Sequence, residues 1–255
     1  MSDTIPAAAL GRVATAGSGS RPDPRLDDAR VGSIGEPVWG ALAILGAVIA
    51  AVGILGLDAT IGSDTVRGRE LRASTISEYV YSSGSWVFNL AVLGLAVGSA
   101  ALVVGLVRSG LLRRRSAGAV LLAAWVVGLL GVVAFPKHNW AVGPSSSGSI
   151  HRLASMVAFL SIPLAVLFVV RRRERRASRA AGAAWWLNIG TLAFLTMLVG
   201  AILYGAVADA SWWRVIPLGL VERGIVGFEV ASVVALGVWA IRGRRRSASN
   251  AMLTA

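Results

Sequence analysis

Apolar residues along the chain are gathered into six long blocks, separated by shorter segments rich in charge, glycine and serine. The blocks run Val38–Leu57, Trp86–Val107, Ala117–Phe135, Leu153–Val170, Ala183–Val207 and Gly224–Ile241. Each has about 18 residues or more, enough for a helix to cross a hydrocarbon layer of about 30 Å. Lipid offers the backbone no hydrogen-bond partners, so each block must satisfy its own N–H and C=O groups as a helix. The apolar–polar alternation of a membrane-barrel strand is absent. The pattern predicts an all-α fold, a polytopic membrane bundle of six transmembrane helices spanning 38–241. Pro163, inside the fourth block, predicts a local kink.

Outside the blocks the chain changes character. Residues 1–37 combine Gly17-Ser18-Gly19-Ser20 with Arg21-Pro22-Asp23-Pro24-Arg25 and hold no sustained apolar period. This stretch reads as a disordered cytoplasmic tail and lacks the charged start and short apolar core of a secretory signal. Residues 242–255 read as a second, short cytoplasmic tail.

Composition sharpens this picture. Hydrophobic residues make up 55% of the 255, above the roughly 45–50% of a soluble domain, which excludes a soluble globular reading. The net charge of +12 would suggest nucleic acid in a soluble protein, but these arginines sit in short runs beside apolar blocks, so no nucleic-acid partner is expected. The N-terminal tail carries four basic residues, Arg108–Ser116 four, Arg171–Gly182 six and the segment from Arg242 onward four. The intervening connections, Asp58–Ser85, Pro136–Arg152 and Ala208–Arg223, carry three, two and two. Rich and poor connections alternate, so the positive-inside rule puts both termini in the cytoplasm of a bacterial cell and the poor connections outside the inner membrane. Trp86, Trp140, Trp185, Trp186, Trp212 and Trp213 flank the blocks, as interfacial anchors do. Gly94 and Gly98 form a small-xxx-small pair, which serves either packing within the bundle or a homodimer. Membrane lipid is the expected surrounding partner, and the arginine runs can attract its anionic head groups, although topology alone accounts for them.

The chain has no cysteine, which removes disulfides, thiolate metal sites and cysteine nucleophiles. No phosphate loop, nucleophile elbow or zinc-protease motif is present. What remains is a set of ionisable residues on the expected outer side: Glu78, Lys137, His138, His151, Arg152, Glu222 and Arg223, with Glu229 inside the sixth block. Glu229 lies five residues past Gly224, about 8 Å along a helix. An acid at that depth is costly, so it faces a cavity or a partner. Arg152 and His151, at the head of the fourth block, are the expected partners. Glu222 precedes Glu229 by seven residues and shares its helix face. Asn89 and Tyr204, near the outer ends of the second and fifth blocks, are placed to line the same cavity. His138 and His151 with nearby carboxylates would in principle suit a metal, but their spacing matches no ligand motif. They are also on one side and cannot face each other across a haem, so no cofactor is expected. The segment from Ser74 to Ser85 reads as a lid or interfacial element, and Gly143–Ser149 as a flexible loop.

In order along the chain, Ile76-Ser77-Glu78 with Trp86-Val87-Phe88-Asn89, Phe135-Pro136, His151 and Glu222-Arg223 resemble the bacterial and archaeal family known as domain of unknown function 998. The resemblance covers Val38 to about Ile241. It implies a six-helix integral membrane protein without an established general activity, similar in layout to eukaryotic six-helix proteins linked to lipid organisation. It agrees with a single outer-leaflet site built from Glu78, His151, Glu222 and Arg223; Glu229 stands on burial cost alone. The function expected is binding or moving a lipid or other amphipathic ligand through an outer-face pocket of Glu78, Asn89, His151, Arg152, Glu222, Arg223 and Glu229, without catalysis. A metal-dependent lipid hydrolase using His138 and His151, and an accessory subunit whose ion pairs only join helices, are the competing readings. A proton-coupled transporter is disfavoured because no internal repeat accompanies the single intramembrane acid.

Overall fold

A computed structural model describes residues 36–61, 73–139 and 141–253, with side chains described between 37 and 242. The expected N-terminal tail lies outside the described residues, apart from the start of the first helix. Six long helices account for most of the chain: α1 (Glu36–Thr60), α2 (Ser85–Arg108), α3 (Ala117–Ala134), α4 (Ser146–Val169), α5 (Arg179–Val207) and α6 (Leu218–Leu253). All six are long and apolar enough to cross a membrane. A 3-10 helix, Ile76–Tyr81, lies between α1 and α2, and short helices Arg172–Ala177 and Trp212–Val215 flank α5. No strand occurs among the described residues.

Three of the helix starts are written in serine. Ser116, Ser145 and Ser178 each accept a backbone N–H three residues ahead, from Ala119 at 3.3 Å, Gly148 at 3.1 Å and Ala181 at 3.4 Å. Each satisfies one of the donors that a helix leaves open at its first turn. The Ser145 cap changes the expected boundary of α4. The helix begins at Ser146, so Ser146–Ser149 are helical where a flexible loop was expected. α4 runs unbroken through Pro163. α6 also starts earlier than its apolar block, directly after Pro217, whose fixed φ suits a first helical turn. It continues to Leu253, so most of the expected C-terminal tail is helical backbone.

Neighbouring helices pack through small residues. α1 lies on α2 and α6, α3 on α4, and α5 on α6. A Cβ on Gly98 would meet the Gly46 Cα at 3.0 Å, and one on Gly94 would meet Ile49 at 3.1 Å. The Gly94–Gly98 pair is therefore engaged within the chain, at the α1–α2 crossing. A Cβ on Gly128 would meet the backbone of Ala158 and Ala154 of α4 at 2.8–2.9 Å, and one on Gly40 the Gly237 carbonyl at 2.7 Å. Without a solvent-driven force between helices in lipid, such close approach supplies the dispersion contacts that hold them. Large apolar side chains such as Val52, Val97, Val127 and Leu203 point outward, as a lipid-facing surface requires.

Candidate functional site

The arginine-poor end of the bundle is closed by a network that ties α1, α6 and the 3-10 helix together. Asp58, near the end of α1, receives two hydrogen bonds from Arg223 of α6, Nη2 to Oδ1 at 2.7 Å and Nε to Oδ2 at 3.0 Å. This is the bidentate arrangement in which a guanidinium matches a carboxylate best. Arg223 Nη1 also donates to the carbonyls of Ser74 at 2.8 Å and Gly219 at 3.0 Å. Tyr79, fully buried in the 3-10 helix, donates its hydroxyl to Asp58 Oδ1 at 2.6 Å. Its phenol is pushed up to about 12, chiefly by burial and secondarily by the hydrogen bond and charge of Asp58.

Glu222, one residue before Arg223, turns to a different partner. Its Oε2 accepts the Ile76 N–H at 2.7 Å, fixing the first residue of the 3-10 helix. Lys137, just past α3, donates to Thr75 Oγ1 at 2.9 Å and lies 3.7 Å from Glu78 Oε1. Tyr81 donates to the Lys137 carbonyl. The 3-10 helix is thus pinned from three sides, and Ile76, Glu78 and Tyr79 are buried in it. The segment expected as a lid or interfacial element is a seated plug.

Beneath the plug lies a cavity of about 480 Å³, bounded by α1, α2, α3, α4 and α6. That volume falls within the roughly 300–1,000 Å³ of small-molecule sites. Its walls are apolar, with Ala47, Ile54, Phe88, Leu95, Trp125, Leu129 and Phe159 among them. The Trp125 indole N–H is already engaged by Ser99 Oγ at 2.9 Å, so this wall presents only ring surface. The polar groups that reach the cavity are Asp58, Ser77, Glu222 and Arg223 at the plug end, Ser155 of α4, whose hydroxyl donates to the His151 carbonyl at 2.9 Å, and Glu229.

Glu229 is fully buried, and neither carboxylate oxygen has a hydrogen-bond partner among the described residues. It sits eleven residues into α6, about 16 Å along the helix, deeper than the apolar block alone suggested. The expected partners do not reach it. Arg152 is exposed on α4. His151 is buried on the adjacent face, its Nδ1 2.7 Å from the Phe135 carbonyl, and it does not line the cavity. Glu222 and Glu229 do share the cavity, as their spacing of seven predicted.

The cavity opens sideways. Val48 and Leu55 of α1 and Gly227 of α6 line it and are also exposed. The opening lies between α1 and α6, bounded at one end by Asp58–Arg223 and at the other by the Gly40–Gly237 contact. A Cβ on Gly227 would meet nothing within 4 Å.

Of the other expected site residues, Glu78 belongs to the plug and not to the cavity wall. Asn89 and Tyr204 do not line the cavity, and Tyr204 is exposed on the outer surface of α5. His138 is buried, its Nδ1 accepting the Ser145 N–H at 2.9 Å, which makes it a support for the start of α4. No group of three potential metal-ligating side chains converges among the described residues. Asp58, the central acceptor of the network, was not singled out in the sequence; a lone acid one residue past an apolar block was the available signal.

Six helices long and apolar enough to span a bilayer, five of them around an internal cavity, define a multi-pass integral membrane protein. The chain belongs to the family described as protein of unknown function (DUF998), whose model matches residues 66–239. It is also similar to proteins named guanidinium exporter, one from Yersinia pseudotuberculosis serotype I (strain IP32953) and one from Yersinia pestis. Each is 30% identical over 113 residues, covering 43% of this chain and 99% of the exporter. No solved structure matches.

Proposed function

We propose that the protein binds an amphipathic organic cation in the cavity and moves it across or out of the bilayer. The carrying observation is Glu229, a carboxyl enclosed by apolar walls with no donor to satisfy it. Burying a carboxylate without a partner is strongly unfavourable, and a ligand that brings one positive charge removes that penalty. The aliphatic and aromatic walls suit a hydrocarbon or ring body attached to the charge. A ligand with an anionic head would find only Glu229 in the middle of the cavity, since the positive charge of Arg223 is already matched by Asp58. The lipid-like character expected from the sequence is therefore kept, with its charge specified. Similarity to guanidinium exporters supports transport of a cation of this chemistry. The sideways opening supports entry from the bilayer, where an amphipathic molecule concentrates. In this reading the arginine-rich connections and both termini face the cytoplasm and the plug faces outward, in a bacterial plasma membrane.

The test is calorimetric titration of octylguanidinium and of guanidinium itself into the full-length protein in phosphatidylcholine nanodiscs. Wild type should bind octylguanidinium more tightly than guanidinium, and Glu229→Gln should bind neither. Equal binding by wild type and Glu229→Gln would overturn the proposal.

A further inference from the structure

The opposite end of the bundle carries a second recess, unrelated to the cavity. It has a volume of about 290 Å³ and is lined by Arg172, Arg175, Arg176, Gly182, Trp185 and Trp186. Three of these six residues are arginine and none is acidic. Among the described residues, no carboxylate pairs with any of the three guanidinium groups. Arg175 lies over the Trp185 ring with its guanidinium carbon 3.9 Å from the ring centroid. Stacking at that distance holds the guanidinium in one place, as a cation–π contact does. Its Nε is buried and has no acceptor. Arg175 therefore presents a fixed positive charge and an unused donor, while Glu174, the acid of the same short helix, does not line the recess and has one buried oxygen without a partner.

Topology determination explains the number of arginines in this connection but not their arrangement. The run Arg113-Arg114-Arg115 serves the same end of the bundle and is simply exposed. Arg172 and Arg176 are exposed too, but Arg172–Ala177 folds as a helix between α4 and α5 that sets Arg172, Arg175 and Arg176, and not Arg173, beside two tryptophans of α5. Those tryptophans stand six and seven residues into a spanning helix, about 9 Å from its start. Trp186 is 72% exposed on the surface that faces lipid. Arginine at the helix end and tryptophan one to two turns deeper match the depth order of a phospholipid, whose phosphate lies above its glycerol and acyl ester groups.

We infer that this recess is a binding site for the phosphate of an anionic membrane phospholipid, with Arg172, Arg175 and Arg176 on the phosphate and Trp185 and Trp186 against the glycerol–acyl region. Guanidinium groups suit this ligand because they donate in a fixed planar fork to phosphate oxygens. A free phosphate ion shares the same oxygen chemistry, but it would leave the tryptophan side of the recess uncovered.

The experiment is native mass spectrometry of the full-length protein released from nanodiscs of equal phosphatidylglycerol and phosphatidylcholine. Three variants accompany wild type: Arg172→Gln/Arg176→Gln, Trp186→Ala, and Arg113→Gln/Arg114→Gln, which removes equal charge at the same end. Wild type and Arg113→Gln/Arg114→Gln should retain phosphatidylglycerol several-fold over phosphatidylcholine. Both recess variants should lose that preference, the tryptophan variant without any change in charge. A preference that is absent in wild type, or lost equally in Arg113→Gln/Arg114→Gln, would overturn the inference. So would displacement of the lipid by millimolar inorganic phosphate, which would mark a site for a soluble anion. Binding of octylguanidinium should be the same in all these variants, so failure here is separable from failure at Glu229.

Discussion

Arg223 and Asp58 stand 165 residues apart in the chain and meet through two parallel hydrogen bonds of 2.7 and 3.0 Å. Together they close the gap between the first and last spanning helices at one end. Their side chains are 15% and 18% exposed, so the pair is largely withdrawn from solvent. Removing one partner strands the other in a poorly solvated position, and such losses cost about 3 kcal/mol. Asp58→Ala and Arg223→Ala should each lower the thermal unfolding midpoint in detergent. The double variant should be less destabilised than the two single losses added together, because the second change removes a group already unpaired. Strict additivity of the three midpoints would show that the two side chains do not act as a unit.

Tyr79 depends on the same carboxylate. Its folded phenol titrates at about 12 against an ordinary 10.0, so the folded state favours the neutral form. That contribution is complete below pH 10 and disappears as pH rises through about 12. A wild-type minus Tyr79→Phe difference spectrum at the phenolate band should therefore rise only near pH 12. Loss of the hydrogen bond in Tyr79→Phe should destabilise by about 1 kcal/mol. A phenolate step for Tyr79 at the ordinary value would mean that the plug is not seated as described.

Much of this organisation was legible in the sequence, and the boundary of legibility has physical causes. Apolar block length reports a spanning helix directly, because the bilayer sets the length. Glu229 stood out because a charge inside such a block is costly. The pairing of helices is not encoded in hydropathy, so nothing in the sequence said that the end of α1 would lie beside the start of α6. Asp58 therefore carries no hydropathy signal of the network that it organises. Arg152 faces outward because adjacent helical positions differ by about 100° and its neighbour His151 is the buried one. Glu222 and Arg223 hid the true start of α6, since charges that are paired inside a helix look like a loop to a hydropathy reading. Pro217 marked that start more faithfully than the apolar residues did.

Glu229 separates a functional acid from a structural one by the sign of its effect on stability. A structural ion pair loses stability when its acid is removed. An unpartnered acid in an apolar wall gains stability, because its desolvation is uncompensated. Replacement by a comparably sized apolar residue, Glu229→Leu, should raise stability by about 1–3 kcal/mol. The same variant should lose cation binding. A fall in the unfolding midpoint would reveal a partner for Glu229 and return the residue to a packing role.

Gly227 tests the route into the cavity apart from the site within it. It lies on the rim between α1 and α6, where a new side chain meets open space and not protein. Gly227→Leu should therefore fold with wild-type stability or slightly better, since glycine within a helix costs roughly 0.5–1 kcal/mol relative to alanine. The added leucine stands in the opening that exposed Leu55 of α1 also lines, and narrows the passage without replacing Glu229. Stopped-flow measurement of octylguanidinium association in nanodiscs should show a slower on-rate, by about tenfold, with dissociation slowed to a similar degree because the ligand leaves by the same path. The equilibrium constant then changes little. A variant that binds and releases as fast as wild type would place the entrance elsewhere. The plug would be the next candidate, and loosening it with Glu222→Gln, which weakens the hold on the Ile76 N–H, should then speed both rates.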